Sequence, residues 1–93
     1  MIIGACTIEL YLPATFSLKE KRSQIKPLLH QLRKRFEVAA AEVGNQEVWQ
    51  SATLAIVTVS NDTRQVYSVL EHAARWLEEN APAQVMDWQI ELR

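Results

Sequence analysis

Two hydrophobic periodicities alternate along this chain, and their order is the feature that most constrains its fold. Strand-like segments are predicted at residues 2–12, 38–43, 52–59 and 85–92. The first and last alternate with a period of two, the second is short and alanine-rich, and the third is nearly all apolar. Helical periodicity follows Ser17 to about residue 36, and follows Asn61 or Asp62 to about Glu79. The predicted order is β-α-β-β-α-β, which is the split βαβ pattern of ferredoxin-like folds.

This order predicts an α+β architecture with a four-stranded antiparallel sheet. Right-handed crossovers place both helices on one face of that sheet, which leaves the other face open to water or to a partner. A chain of 93 residues is expected to form a single domain, residues 1–93, around one two-layer core.

The first strand is the clearest example of alternation. The side chains expected on its buried face are Ile2, Gly4, Cys6, Ile8, Leu10 and Leu12. Pro13 is expected to end the strand, because proline has no N–H to donate to the sheet. In the last strand, the same alternation predicts Met86, Trp88, Ile90 and Leu92 on one face and Val85 on the other.

The first helix begins with a capping box. Ser17 is expected to accept from the Glu20 amide, and Glu20 is expected to reach back to the Ser17 amide. Pro27 interrupts the helical pattern, and a proline inside a helix costs about 3 kcal/mol. The pattern favours one helix kinked at Pro27 over two shorter helices, and both alternatives stay open. The second helix is expected to end at Asn80 and Pro82.

Charge is distributed unevenly along the chain. Seven of the ten lysines and arginines lie between Leu18 and Arg35, where Glu20 is the only acid, although the whole chain has a net charge of −1. A polarised surface of this kind is typical of docking on a partner of opposite charge.

Composition excludes several classes of protein. The lone Cys6 forms no internal disulfide, so nothing requires an oxidising compartment. The first residues lack the basic segment of a signal peptide, and no apolar run approaches the roughly 20 residues of a membrane span. We therefore expect a cytoplasmic protein without a membrane partner.

Several groups of residues resemble the YlxP-like family of small bacterial proteins, in matching order and spacing along the whole chain. They are Cys6–Leu10 with Leu12-Pro13, Ser17–Arg22, Leu32–Phe36, Ala41–Gly44 with Gln46 and Trp49-Gln50, and Val59–Asp62. The resemblance implies a ferredoxin-like fold and a cytoplasmic protein of unknown function. It also implies a gene that often neighbours genes of translation initiation and ribosome maturation. It implies no catalytic residues, and Pro27 departs from the family pattern.

The basic first helix is the principal candidate site. The candidate contacts to the phosphates of ribosomal or other structured RNA are Lys19, Lys21, Arg22, Lys26, Arg33, Lys34 and Arg35. No reading of DNA sequence is expected. Cations in the last helical turn also offset the helix dipole, but those in the first turn oppose it. The alternative is that Arg33, Lys34 and Arg35 only offset the dipole, while the remaining cations form a solvated face that pairs with the acidic part of the molecule.

The open sheet face is the second candidate. It is expected to carry Thr7, Glu9 and Tyr11 with Asp87, Gln89 and Glu91, so its carboxylates argue against base stacking on the sheet. Val57, Val59 and Val85 could give the face an apolar centre. The alternative function is therefore a protein–protein adaptor or a homodimer formed through this face. A third and weaker alternative is a small-ligand-sensing domain.

The remaining features have simpler explanations. Trp49 is expected to anchor the sheet edge, although its loop could also bind a partner. His30 and His72 are expected to pack on their helices, and Cys6 is expected to be buried and inert. Glu9, Asp87 and Glu91 could meet as paired carboxylates, but no base or nucleophile accompanies them. We predict a non-enzymatic protein with no cofactor and no metal.

Overall fold

The computed structural model describes residues 1–81 and 83–93. Its elements are β1 (Ile2–Tyr11), α1 (Leu18–Phe36), β2 (Ala39–Gly44), β3 (Ser51–Ser60), α2 (Thr63–Asn80) and β4 (Gln84–Leu92). The sheet has the strand order β2-β3-β1-β4, and its three strand pairs are antiparallel. The predicted ferredoxin-like order is confirmed, with strand and helix ends within one or two residues of the prediction.

The core lies between one face of the sheet and both helices. Alternate residues of β1 point into it, so that Cys6, Ile8 and Leu10 are buried while Thr7 and Tyr11 are exposed. The helices contribute the following buried apolar residues: Ile25, Leu28 and Leu32 from α1, and Val66, Leu70, Ala73, Ala74 and Leu77 from α2. Neither of the two described helices packs against the second face of the sheet.

Local hydrogen bonds set where the helices begin. Ser17 Oγ accepts from the Glu20 amide at 3.1 Å, as the capping box predicts. Glu20 Oε2, however, accepts from the Phe16 amide at 3.0 Å and not from the Ser17 amide. At α2, Asp62 is the N-cap and accepts from the Arg64 amide at 2.9 Å. Pro82, predicted to help end α2, lies outside the described residues.

Helix α1 is a single element that runs through Pro27. Pro27 has no N–H, so one carbonyl of the preceding turn lacks its helical hydrogen bond. Because Pro27 is exposed, this carbonyl lies on the solvent side of the helix. The two-helix alternative is therefore wrong.

An irregularity in β4 overturns the predicted side-chain alternation at Val85 and Met86, while residues 87–91 alternate as predicted. Leu10 pairs with Val85 and Glu9 pairs with Asp87, so Met86 is an extra residue between the two pairs. This bulge turns Val85 toward the core beside Trp88 and Ile90, and leaves Met86 63% exposed. The expectation that Val85 contributes to the open face is wrong for this reason.

Candidate functional site

Exposed side chains follow a single line along α1. Positions 19, 22, 26, 30 and 33 are spaced by three or four residues, which places them on one face of a helix. The side chains on this line are Lys19, Arg22, Lys26, His30 and Arg33, and all five are exposed. At 1.5 Å per residue the line is about 20 Å long. We call these five residues the cationic stripe.

The rest of α1 holds the stripe in place. Ile25, Leu28 and Leu32 are at most 5% exposed and fix the rotation of the helix against the sheet and α2. The Ser17–Glu20 cap fixes its first turn. The stripe is therefore carried by a packed helix and not by a loop.

Lys21 does not belong to this surface. It is 1% exposed, its Nζ lies 2.7 Å from Glu42 Oε2 on β2, and it donates to the carbonyl of Asn45. A buried charge requires such partners, because leaving water without them is costly. Lys21 is therefore unavailable to an external phosphate and is removed from the candidate set.

The three cations of the last turn of α1 diverge. Arg33 belongs to the stripe and also donates from Nη2 to the carbonyl of Ala40 at 2.6 Å. Arg35 points to another side, where its guanidinium lies 5.5 Å from the centre of the Trp76 ring. Lys34 is exposed and lies at the margin of the stripe, four residues after His30 and about a quarter-turn from Arg33. The structure thus joins four of the seven predicted cations into one line.

The stripe is not neutralised by carboxylates within the described part of the chain. The ion pairs found there are Lys21–Glu42, Arg75–Glu71 and Arg93–Glu91. None involves Lys19, Arg22, Lys26 or Arg33. Glu47 shares a hollow of about 320 Å³ with Arg22, beyond ion-pair distance from it. The charge of the stripe therefore remains available to an external partner.

The two histidines are more exposed than predicted. His30 lies on the stripe, between Lys26 and Arg33, and His72 is exposed on α2. His72 Nδ1 lies 2.6 Å from the carbonyl oxygen of Ser68. The expectation of packed histidines is therefore wrong.

The open sheet face is divided into a polar half and an apolar half. Glu9 lies opposite Asp87 and accepts from Thr53 Oγ1 at 2.8 Å, whereas Glu91 lies beside Arg93. The predicted carboxylate cluster of Glu9, Asp87 and Glu91 is therefore divided between two places. Cross-strand pairs place the following apolar residues together at the other end: Ile3, Ala5, Ala39, Ala41, Ala55, Val57 and Val59.

A second hollow lies beside the start of α1. Its volume is about 390 Å³, and its lining residues are Phe16, Glu47, Val48, Trp49 and Gln50. Phe16 is 64% exposed and Trp49 is 50% exposed, so the expectation that Trp49 is a packed anchor is wrong. We call this the aromatic hollow.

A signal in the sequence does point to Phe16. A hydrophobic residue before an N-cap normally packs on an apolar residue at the fourth helical position. That position holds Lys21, whose side chain is committed to Glu42. Phe16 is therefore left without its usual helical partner.

Cys6 behaves as predicted. Its side chain is fully buried in the core, and this burial raises the pKa of the thiol from 9.0 to about 11. The thiolate is therefore scarce at neutral pH, which makes Cys6 a poor nucleophile.

Residues 1–81 and 83–93 lack two further features. Histidine, cysteine, aspartate and glutamate side chains form no group of three or more that could hold a metal ion there. Neither described helix combines the length and apolar character required to cross a membrane.

Comparison with known proteins relates the chain to a described family. Residues 3–90 match a family model described as a protein of unknown function, DUF503. The chain is 30% identical over 77 residues to the uncharacterized protein YlxP of Bacillus subtilis (strain 168), covering 83% of this chain and 84% of that protein.

Proposed function

Because the chain belongs to the YlxP-like DUF503 family, whose function is unknown, we propose a role from its surface: a small non-enzymatic protein that binds structured RNA through the cationic stripe. The observation that supports this proposal is the line of exposed, unneutralised cations along α1. Phosphate groups are the natural partners of such a line, since each contact releases condensed counterions.

The shape of the surface favours structured RNA over reading of a DNA sequence. The stripe presents charges at three- and four-residue intervals, with no asparagine or glutamine on the line to pair with base edges. Contacts of this kind position a protein on a phosphate backbone by shape and charge.

Charge reversal on the stripe tests the proposal. In filter-binding assays at low salt, R22E/K26E is expected to bind ribosomal RNA about 10- to 100-fold more weakly than the parent, because two phosphate contacts become repulsions. Both side chains are exposed, so thermal melting is expected to change little.

A matched control separates the stripe from the total charge. R64E/R75E makes the same change in net charge at two exposed positions of α2. It is expected to retain most of the affinity of the parent. Equal losses in the two double variants would show that net charge alone determines binding, and the stripe proposal would fail.

Self-association is the second candidate function, and the apolar half of the open face favours it. Val57 and Val59 are 36% and 58% exposed beside Ile3, Ala5 and Ala39. A second copy of the chain could cover this surface with its own apolar half, as in a two-fold symmetric dimer.

Light scattering across a salt series tests this second function. An apolar dimer is expected to persist at high salt, whereas association between the stripe and an acidic surface is expected to dissociate. V57K is expected to abolish an apolar dimer, because it places a charge at the centre of the contact. A parent that stays monomeric at high concentration would exclude self-association.

A further inference from the structure

We infer that the aromatic hollow receives an unstacked base of the bound RNA while the cationic stripe holds the adjoining phosphates. This inference rests on the proposed function and adds a substrate class to it: RNA with an unpaired nucleotide beside the region that the stripe contacts.

Two exposed aromatic side chains from distant parts of the chain meet at this place. Phe16 precedes α1 and Trp49 lies in the β2–β3 connection, yet both line the same hollow. Exposed aromatic faces next to a cationic surface are the features by which proteins bind unpaired nucleotides, since every base has a face that can stack.

The hollow is also held in a fixed shape. The Leu12 amide donates to the Gln50 carbonyl at 2.9 Å, and Gln50 Nε2 donates to the Pro13 carbonyl at 3.4 Å. These bonds tie the loop before α1 to the loop that carries Trp49. A site that is already formed loses less entropy on binding than a mobile loop does.

Buried Lys21 supports the same arrangement from beneath. It bonds to the carbonyl of Asn45, which accepts in turn from the Val48 amide at 3.0 Å. The bond from Lys21 to Asn45 thereby connects α1 to the turn that presents Trp49. Hydrogen bonds and an ion pair therefore link the hollow to the helix that carries the stripe.

The lining is mostly apolar, which suits the face of a base, and its two polar side chains suit the edge of a base better than they suit an apolar side chain. Glu47 can accept from an exocyclic amine of a base, and the Gln50 amide can donate or accept. Glu47 would repel a phosphate placed in the hollow itself. The phosphates are instead expected outside it, near Lys19 and Arg22, which lie three and six residues beyond Phe16.

A double substitution that removes stacking but keeps apolar character tests this inference. F16L/W49L is expected to bind a short single-stranded RNA about tenfold more weakly than the parent. Its affinity for the fully paired duplex of the same sequence is expected to be unchanged. The salt dependence of its binding is also expected to be unchanged, since no phosphate contact is removed. Y67L, which removes an exposed tyrosine from α2, is the matched control.

Fluorescence supplies a second readout that does not depend on a destabilised variant. Single-stranded RNA is expected to quench the tryptophan fluorescence of the parent, and W49F is expected to lose this quenching although Trp76 and Trp88 remain. If F16L/W49L binds single strands as the parent does while R22E/K26E does not, the inference is overturned and the stripe proposal survives. If the parent binds no RNA at all, both fail.

Discussion

Lys21 and Arg22 are neighbours in the chain but belong to different parts of the molecule. Lys21 is buried against Glu42, whereas Arg22 is exposed on the stripe. The sequence predicts both as surface cations, because its local pattern holds no sign of a partner on another strand. The acceptor at Asn45 lies 24 residues away, and only the packing of α1 against β2 brings the two together.

The Lys21–Glu42 pair is expected to contribute to the stability of the fold. K21M is expected to lower the free energy of unfolding by about 2–4 kcal/mol, because it leaves the Glu42 carboxylate and the Asn45 carbonyl without their cationic partner. Urea denaturation measures this loss. K19M, a change of the same kind at an exposed position of α1, is expected to stay within about 0.5 kcal/mol of the parent. Similar midpoints for K21M and K19M would contradict the structural role of Lys21.

Individual elements were predictable where a pattern was local. The period-two alternation of β1 and the caps at Ser17 and Asp62 follow from neighbouring residues, and the structure contains them. The bulge at Met86 was not predictable, because it depends on how β4 pairs with β1. The aromatic hollow was missed for a similar reason. Phe16 lies in the β1–α1 connection and Trp49 in the β2–β3 connection, and only the folded chain brings these connections together.

Gly4 lies on β1 at the place where α2 packs against this strand. A Cβ at Gly4 would overlap Val66 Cγ1 and lie 3.0 Å from Leu70 Cδ1, both in the core. G4A is therefore expected to lower the free energy of unfolding by about 1–3 kcal/mol in a thermal or urea transition.

Two further variants show whether this loss arises from overlap. V66A removes the methyl group that Gly4 would meet, so G4A is expected to cost less in a V66A background than in the parent. G44A is the milder comparison, since a Cβ there would lie 3.3 Å from atoms of Thr53, and it is expected to cost less than G4A. A loss in G4A that V66A does not reduce would place the cause in the backbone of β1.

The three candidate surfaces lie at different places on the molecule. The cationic stripe on α1 is about half as long as the 42 Å long axis of the molecule. The aromatic hollow lies at the start of α1, and the apolar half of the open face belongs to the sheet. The uneven charge along the sequence predicted that α1 would be the basic surface. The sequence did not show which cations share a line, because that depends on the rotation of α1 in the fold.

The most direct test of the central proposal is the salt dependence of RNA binding. Four exposed cations on the stripe predict that the logarithm of the association constant falls against the logarithm of salt concentration with a slope of roughly −3 to −4. R22E/K26E is expected to reduce that slope to about half, while R64E/R75E leaves it unchanged. A slope near zero, or a slope that R22E/K26E does not alter, would contradict binding through the stripe.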